Sequence, residues 1–245
     1  MGDPPHAWQP IGVLRTPWPD KFGVPRQPGL TDARCRLDLD PQVVPAEALR
    51  GLDAYSHLWI LFVFHRVPAE GWRATVRPPR LGGNTRVGVF ATRSGFRPNR
   101  IGTSVVQLDT IDGLSLQLRG GDFVDGTPVL DIKPYLPWSD ALPDARADWS
   151  GAPPERLLVR FDAEAERSLA AHPRTAELRE LIVQTLALDP RPAYRPDTSD
   201  RTYGVRILDV DVRFSHERDA LVVREIVPGE AASRRSQAPS GVRPR

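Results

Sequence analysis

Residues 92–99 combine arginine, polar side chains and turn-forming residues in a run that could bind an anion. The run reads Thr-Arg-Ser-Gly-Phe-Arg-Pro-Asn, and Gly95 and Pro98 favour a tight, rigid turn. The guanidinium groups of Arg93 and Arg97 could each bind carboxylate or phosphate oxygens through paired hydrogen bonds. The same two arginines could instead pair with aspartates on the protein surface, and their spacing alone does not separate the two uses.

This turn lies within a strongly basic stretch, residues 71–108. The stretch contains seven arginines and neither aspartate nor glutamate, so it carries +7 in a chain whose net charge is +2. A block of one charge around glycine and proline turns indicates a polyanionic partner or a phosphate-bearing ligand. The arginines are Arg73, Arg77, Arg80, Arg86, Arg93, Arg97 and Arg100.

A second basic turn, residues 24–29, reads VPRQPG. Its two prolines restrict the backbone, and Arg26 and Gln27 offer hydrogen-bond donors. The pattern is short, and it fits an ordinary surface loop as well as a binding turn.

Two histidines and three aspartates are further candidates for a polar site. His57 and His65 flank the most apolar run of the chain, and each could make only a structural hydrogen bond. His65 lies where the run ends, so it could also act as a donor or base at the mouth of a pocket. An aspartate could orient a ribose hydroxyl or balance a cationic ligand, although Asp125-Gly126 also fits a simple turn. The aspartates in question are Asp122, Asp125 and Asp131.

Short apolar or alternating runs predict a mainly β protein. Many short strands at close spacing, without alternating helices, indicate a closed or nearly closed barrel. The predicted strands cover residues 10–17, 34–39, 57–65, 86–93, 102–109, 114–118 and 123–132, the last with an internal Asp-Gly turn or bulge, and a short helix is predicted over 46–52.

The composition changes over residues 137–155, where Pro, Ala, Asp and Ser dominate and predict an interdomain loop. A small α+β domain is predicted beyond it, over residues 155–227, and Thr175 is the expected N-cap of its second helix. Residues 228–245 are poor in apolar side chains and basic, which predicts a disordered tail. The predicted elements of the domain are a strand over 157–161, helices over 164–171 and 175–188, and strands over 205–214 and 221–227.

Several protein classes lack support in the sequence. The chain contains no GxGxxG, GxxxxGK[ST], HExxH or GxSxG motif, so nucleotide-binding folds, zinc proteases and serine hydrolases are disfavoured. Cys35 is the single cysteine, which excludes an internal disulfide, and no metal site is expected. The longest apolar run, residues 58–64, is too short to span a bilayer. The first residues lack an apolar signal-peptide core, and we expect a cytoplasmic protein.

Several long motifs resemble the TsaA-like, or TrmO, family of tRNA methyltransferases over about residues 8–227. They are PRQPGL, GLDAYSHLWILFVFHR, RPPRLGGNTRVGVFATRSGFRPN, DFVDGTPVLDIKPYLP and DPRPAYR. The resemblance implies a single-sheeted β-barrel over residues 8–140 that binds S-adenosylmethionine, followed by the small C-terminal domain. It also implies a homodimer, with the site near the interface, that methylates N6 of N6-threonylcarbamoyladenosine (t6A), beside the anticodon of threonine-type tRNA, to give m6t6A.

The same resemblance implies roles for individual residues. His65 and Arg93 become the expected catalytic residues. His65 is the nearest candidate for a proton acceptor, although solvent or the carboxylate of t6A could also serve, and Arg93 or Arg97 could clamp the threonyl carboxylate of t6A. Arg100 departs from the family, which often has proline there. The expected cofactor contacts are Pro25, Arg26, Gln27, His65, Arg66, Arg93, Leu118, Val124, Asp125, Gly126 and Thr127. The expected RNA contacts are Arg80, Arg97, Asn99, Arg100, Arg191, Tyr194 and Arg195.

Two other functions remain open at this point. The basic stretch would suit a non-catalytic RNA-binding barrel as well as an enzyme. The chain could also be a methyltransferase that acts on a different RNA or on a small molecule.

Overall fold

The first compact unit of the chain contains a β-barrel. The computed structural model describes residues 8–68, 71–191 and 201–229. One unit comprises Met1–Glu155 with Pro190–Pro196, and the other comprises Arg156–Asp189 with Asp197–Arg245. The elements of the first unit are β1 (Gly12–Arg15), β2 (Arg34–Leu39), β3 (His57–Val63), β4 (Thr75–Val76), β5 (Val87–Gly88), β6 (Ile101–Asp112), β7 (Ser115–Arg119), β8 (Pro128–Pro134) and the short helix α1 (Pro137–Asp140).

Six of these strands close the barrel in the order β1-β2-β7-β6-β3-β8, and β8 pairs back onto β1. Every neighbouring pair is antiparallel. Strands β4 and β5 form a separate two-stranded ribbon within the connection between β3 and β6. The prediction of a mainly β protein with a closed barrel is therefore confirmed.

Alternating side chains fill the interior of the barrel. In β3, Leu58, Ile60 and Phe62 are buried, whereas their neighbours along the strand are more exposed. Successive side chains of a strand point to opposite faces, so one face of each strand supplies the core. The rings of Phe62 and Phe123 meet edge to face, with 4.9 Å between their centroids, and help to fill the interior.

The antiparallel order brings three connections to the same end of the barrel. Strands β1, β3 and β7 end there, and β2, β6 and β8 begin there. The connections are residues 16–33, 64–100 and 120–127, and we call them the first, second and third loops of the loop end. Most of the expected site residues belong to these three loops, so the strand order alone gathers them at one end.

Closure of the barrel requires a glycine in β1. Gly12 pairs with Leu39 of β2 and with Val129 of β8. A Cβ atom on Gly12 would lie 2.5 Å from the carbonyl oxygen of Asp38, closer than any side chain can approach. A larger residue at this position would therefore push β1 away from one of the two strands that it joins.

The second unit is a four-stranded sheet with two helices. The sheet order is β10-β11-β12-β9, in which only β12 and β9 run parallel. Asp162 caps α2 by accepting hydrogen bonds from the backbone N–H groups of Glu164 and Ala165. Among the described residues, no helix is long and apolar enough to cross a membrane. The elements are β9 (Leu158–Phe161), α2 (Ala163–Ala170), α3 (Thr175–Ala187), β10 (Thr202–Ile207), β11 (Val210–Glu217) and β12 (Ala220–Pro228).

One predicted strand of the first unit is wrong over much of its length, and the strand predicted over 123–132 begins only after its expected Asp-Gly turn. Residues 86–93 contain only the two-residue strand β5, followed by the 3-10 helix Val89–Ala91. That helix closes because the Thr92 hydroxyl donates to the Val89 carbonyl, 2.8 Å away. Residues 123–127 form a turn before β8 begins at Pro128, and Gly126 adopts a φ of 78° in it.

Two predictions in the second unit also need correction. The alternating run over residues 205–214 is two strands, β10 and β11, because the chain reverses at Leu208, whose φ is 56°. Thr175 does not cap α3: the N-cap is Arg174, and the Thr175 hydroxyl donates to the His172 carbonyl, 2.6 Å away. The predicted disordered tail lies outside the described residues from residue 230 onward.

Gly102 of β6 gives a test of the barrel packing. A Cβ atom there would lie 2.3 Å from the Phe62 ring, which is buried in the core and cannot move away. We expect Gly102→Ala to lower the free energy of unfolding by about 1–3 kcal/mol. Gly88→Ala is the control, because a Cβ atom at Gly88 meets nothing within 4 Å. Denaturant titration of both variants measures the difference, and equal stabilities would contradict the packing.

Candidate functional site

The third loop is fixed to the first loop by a short run of hydrogen bonds. The backbone N–H groups of Asp125 and Gly126 donate to the carbonyls of Trp18 and Leu14, at 2.8 and 2.9 Å. In return, the Asp125 carboxylate accepts from the backbone N–H of Thr16 at 3.0 Å. The Asp125-Gly126 turn is therefore held on both sides, and this part of the loop end is rigid.

Arg93 joins the second loop to the first. Its Nη1 donates to Oε1 of Gln27 at 2.6 Å, and the Gln27 amide in turn donates to the Arg26 carbonyl at 2.5 Å. A guanidinium group has five N–H donors, so the bond to Gln27 occupies one of them. Arg93 is exposed, so the donors that Gln27 does not occupy are accessible from solvent. These contacts bring together three of the predicted cofactor residues.

His65 approaches the third loop at Thr127. The Thr127 hydroxyl is buried, donates to the Val124 carbonyl at 2.6 Å and lies 3.4 Å from Nδ1 of His65. Because the hydroxyl proton is already used, the hydroxyl oxygen acts as the acceptor toward His65. This favours the tautomer with the proton on Nδ1 and leaves the Nε2 lone pair as a proton acceptor.

The environment of His65 keeps its imidazole neutral. Burial lowers the pKa of His65 below its ordinary value, and the adjacent positive charge of Arg66 lowers it further. The carboxylate of Asp125 opposes this shift without reversing it. At neutral pH His65 is therefore an uncharged base, whereas the exposed Arg66 side chain points toward the first loop, with its Nη2 3.5 Å from the Pro19 carbonyl.

Asp122 is an acid in the third loop that the sequence raised only as a general candidate. Its carboxylate accepts a 2.6 Å hydrogen bond from the Ser104 hydroxyl, which is buried on the inward face of β6. Burial raises the pKa of Asp122 to about 6, although the Ser104 bond and the charge of Arg93 pull it down. Ser104 gives a sequence signal that was missed: it is a polar residue between Gly102 and Val106, at an inward-facing position of an alternating strand.

Cys35 lies beside Asp122, and its thiol is unreactive. Burial raises the pKa of its thiol to about 12, and the negative charges of Asp122 and Asp109 contribute to the shift. A thiolate is needed for nucleophilic attack, so Cys35 is a core residue of β2.

Arg97 and Arg100 use part of their hydrogen-bonding capacity inside the second loop. Arg97 Nη1 donates to the carbonyls of Thr92 and Val89, at 2.8 and 3.3 Å. Arg100 Nη1 donates to the Val67 carbonyl at 2.9 Å. Arg100 also has a φ of 53°, which proline cannot adopt, so the backbone here suits arginine in place of the proline that the family often has.

The remaining predicted residues differ in their exposure and contacts. Leu118 is completely buried in the barrel core, so its side chain is not exposed to a ligand. Pro25 is buried, Asn99 is exposed, and Arg80 donates to the Ala152 carbonyl at 2.6 Å. Arg191 is the last described residue before a gap, and Tyr194 and Arg195 lie outside the described residues.

The polar groups of the loop end suit a zwitterionic nucleoside better than a metal ion. Arg93 and Gln27 can bind a carboxylate, while Asp122, Asp125 and the turn carbonyls can accept hydrogen bonds from ammonium and ribose groups. The Thr31 hydroxyl, buried in the first loop, has no hydrogen-bond partner among the described residues. Within those residues no three His, Cys, Asp or Glu side chains are grouped to hold a metal.

Two family models match most of the chain. The tRNA-methyltransferase O N-terminal domain matches residues 13–141, and the TrmO C-terminal domain matches residues 154–229. The three loops of the barrel end therefore fall within the first match.

Curated proteins and solved structures agree with these matches. The tRNA (adenine(37)-N6)-methyltransferase of Escherichia coli strain K12 is 52% identical over 215 residues, covering 84% of this chain and 92% of that protein. A putative S-adenosylmethionine-dependent methyltransferase of Pseudomonas aeruginosa, RcsF, is 47% identical over 231 residues, covering 92% of this chain and 99% of that protein. The crystal structure of TrmO from Pseudomonas aeruginosa superimposes with a TM-score of 0.75 at 40% identity, covering 91% of this chain and 98% of that one.

The raised pKa of Asp122 makes a stability prediction. Its pKa is about 6 in the folded state and about 3.9 in an unfolded chain, so the folded state binds more protons between these values. As pH rises between these two pKa values, ionisation of Asp122 therefore lowers the free energy of unfolding. Asp122→Asn removes that cost and keeps an oxygen acceptor for Ser104. We expect the free energy of unfolding of the variant, relative to that of the native chain, to rise by about 2 kcal/mol from pH 4 to pH 7.

Urea unfolding of both proteins across this pH range measures the difference directly, because other titrating groups cancel. A difference in stability that does not change with pH would show that the Asp122 carboxylate is not buried as described.

Proposed function

The chain belongs to the TrmO family of tRNA methyltransferases, and we propose that it uses S-adenosylmethionine to methylate N6 of the adenosine beside the anticodon. The substrate we propose is t6A in threonine-type tRNA, and the product is m6t6A. The observation that carries the proposal is the convergence of Gln27, Arg93, His65 and the 124–127 turn at one end of the barrel. A basic stretch without acids, in the second loop, lies beside this cluster and suits an RNA backbone.

The cofactor would be held by the first and third loops. When bound, S-adenosylmethionine supplies an electrophilic methyl group on a sulfonium centre. The rigid Asp125-Gly126 turn and the 25–27 turn would fix its nucleoside and amino-acid parts, which limits the positions that the methyl group can occupy. Asp122 would supply a negative charge near this end of the barrel, most of it present at neutral pH.

Two side chains would act on the nucleoside substrate. The carboxylate of t6A is an anion, and Arg93 could bind it through the donors that Gln27 does not occupy. The N6 atom must lose a proton when it gains a methyl group. His65 is neutral and presents Nε2 as an acceptor, so it could receive that proton.

We further propose a homodimer located in the cytoplasm, where tRNA is made and used. The barrel, residues 8–140, would be the cofactor-binding and catalytic domain, and the α+β domain, residues 155–227, would contribute to tRNA binding. Arg80, Asn99, Arg100 and Arg191 are the described residues for which we propose RNA contacts, together with Arg97.

The role of Arg93 gives a direct prediction. Arg93→Ala should reduce methyl transfer to tRNA by about 10²-fold or more, because a carboxylate clamp is lost, while the unfolding temperature stays the same. Arg36→Ala is the control: Arg36 lies on the exposed face of β2, outside the basic stretch, and pairs with Asp38. Transfer of radiolabelled methyl from S-adenosylmethionine measures both variants, and native turnover in Arg93→Ala would refute the clamp.

The reaction itself is tested with two measurements. Calorimetry of the purified protein with S-adenosylmethionine should show binding, and mass spectrometry should show loss of m6t6A from threonine tRNA in a strain that lacks the gene. Absence of cofactor binding would favour a non-catalytic RNA-binding barrel. Cofactor binding with unchanged m6t6A would favour a methyltransferase that acts on another RNA or on a small molecule.

A further inference from the structure

Phe90 is a large aromatic side chain held out in the solvent. It belongs to the 3-10 helix Val89–Ala91 of the second loop and is 73% exposed. The backbone on both sides of it is fixed, because Arg97 Nη1 donates to the carbonyls of Val89 and Thr92. The Thr92 hydroxyl makes the third hydrogen bond of this segment, by donating to the Val89 carbonyl. The ring is therefore exposed on a rigid support, not on a loosely held loop.

A guanidinium group packs against the Phe90 ring. The Cζ atom of Arg97 lies 5.3 Å from the ring centroid, a distance at which the cation is attracted to the ring face. The hydrogen bonds of Arg97 to the 89–92 backbone hold the guanidinium in this position. Arg97 thus acts as a support for Phe90.

A second arginine and aromatic pair lies in the same loop. Arg73 Cζ is 5.1 Å from the centroid of the Phe96 ring, and the preceding residue, Trp72, is 51% exposed. The backbone N–H of Val89 donates to the Ala74 carbonyl, which ties the two segments together. We call Trp72, Arg73, Phe90, Phe96 and Arg97 the aromatic–arginine surface.

We propose that Phe90 is a stacking platform for an unpaired base of the RNA substrate, a neighbour of the nucleoside that is methylated. This inference rests on the proposed function. Proteins that bind single-stranded RNA stack its bases on exposed aromatic rings, and adjacent arginines bind the phosphates. Phe90 belongs to the same loop as the basic segment 71–88 and Arg93, and the Val89 N–H holds its segment to the Ala74 carbonyl, so a base stacked on it would lie on the loop that carries these arginines.

The charge of this loop favours RNA over a second copy of the chain as the partner of Phe90. Arg86, Arg93 and Arg97 flank Phe90 along the second loop, and residues 71–108 contain no acid to balance them. A phosphate backbone complements that charge directly, whereas a protein partner would need acids opposite it. A polyanion such as RNA is attracted by the same positive charges.

The test compares variants in binding to a synthetic anticodon stem–loop RNA, measured by fluorescence anisotropy at several salt concentrations. Phe90→Ala should bind about tenfold more weakly, and Phe90→Trp should bind like the native protein. Since no charge is removed, the slope of log affinity against log salt should not change. Trp138→Ala is the control: Trp138 is 85% exposed on α1, which follows β8 at the opposite end of the barrel.

Two outcomes would overturn the platform. One is native RNA affinity in Phe90→Ala at an unchanged unfolding temperature. The other is a change of molar mass in Phe90→Ala, measured by light scattering, which would make Phe90 part of a contact between copies. Methyl transfer by the native protein is measured in parallel. If the native protein transfers no methyl group but Phe90→Ala still weakens RNA binding, the proposed function fails and the platform stands.

Discussion

The arrangement of the loop end depends on the pairing of β1 with β8, the contact that closes the barrel. The pairing is short, with Gly12 opposite Val129 and Val13 opposite Pro128. It continues beyond the strands, because the Leu14 N–H donates to the Thr127 carbonyl and the Gly126 N–H donates to the Leu14 carbonyl, both at 2.9 Å. The bonds that close the barrel are thus the same bonds that fix the turn beside His65. Stability of the barrel and geometry of the candidate site are set together.

The electrostatics of the loop end combine a basic surface with a more acidic interior. The arginines of the second loop lie at or near the surface, where solvent reduces the cost of their mutual repulsion. Asp122 lies inward, bonded to Ser104, and His65 is kept neutral by burial and by Arg66. A cationic sulfonium ligand and a polyanionic RNA could therefore approach the same end of the barrel from sides of opposite charge.

Much of the barrel could be predicted from local patterns. The alternation of RCRLDL gives β2 its observed limits, Arg34–Leu39, and the apolar run after His57 gives β3. The strand expected over residues 86–93 failed because side chains close by in the sequence bond to the 89–92 backbone, notably those of Arg97 and Thr92, and a pattern of apolar residues does not reveal such bonds. The alternation changes phase at Leu208, from Val205 and Ile207 to Val210 and Val212, and the prediction treated this as a slip within one strand when it marks a hairpin.

The candidate site was predictable to a smaller degree. The family resemblance indicated Gln27 and Arg93 separately, and the structure shows that they bind each other at 2.6 Å. The Ser104–Asp122 bond joins residues from a strand and a later loop, so no spacing along the chain reveals it. The shifted pKa of Asp122 depends on burial in the folded barrel, which composition does not give.

The central claim is that the three loops at one end of the barrel form a single cofactor site. Hydrogen exchange followed by mass spectrometry, with and without S-adenosylmethionine, tests it most directly. Slower exchange on binding should be confined to peptides that cover residues 16–33, 64–67, 92–97 and 120–127. The claim is contradicted if exchange in these loops does not change and slows instead in the second unit or at the opposite end of the barrel, in residues 40–56 and 112–115.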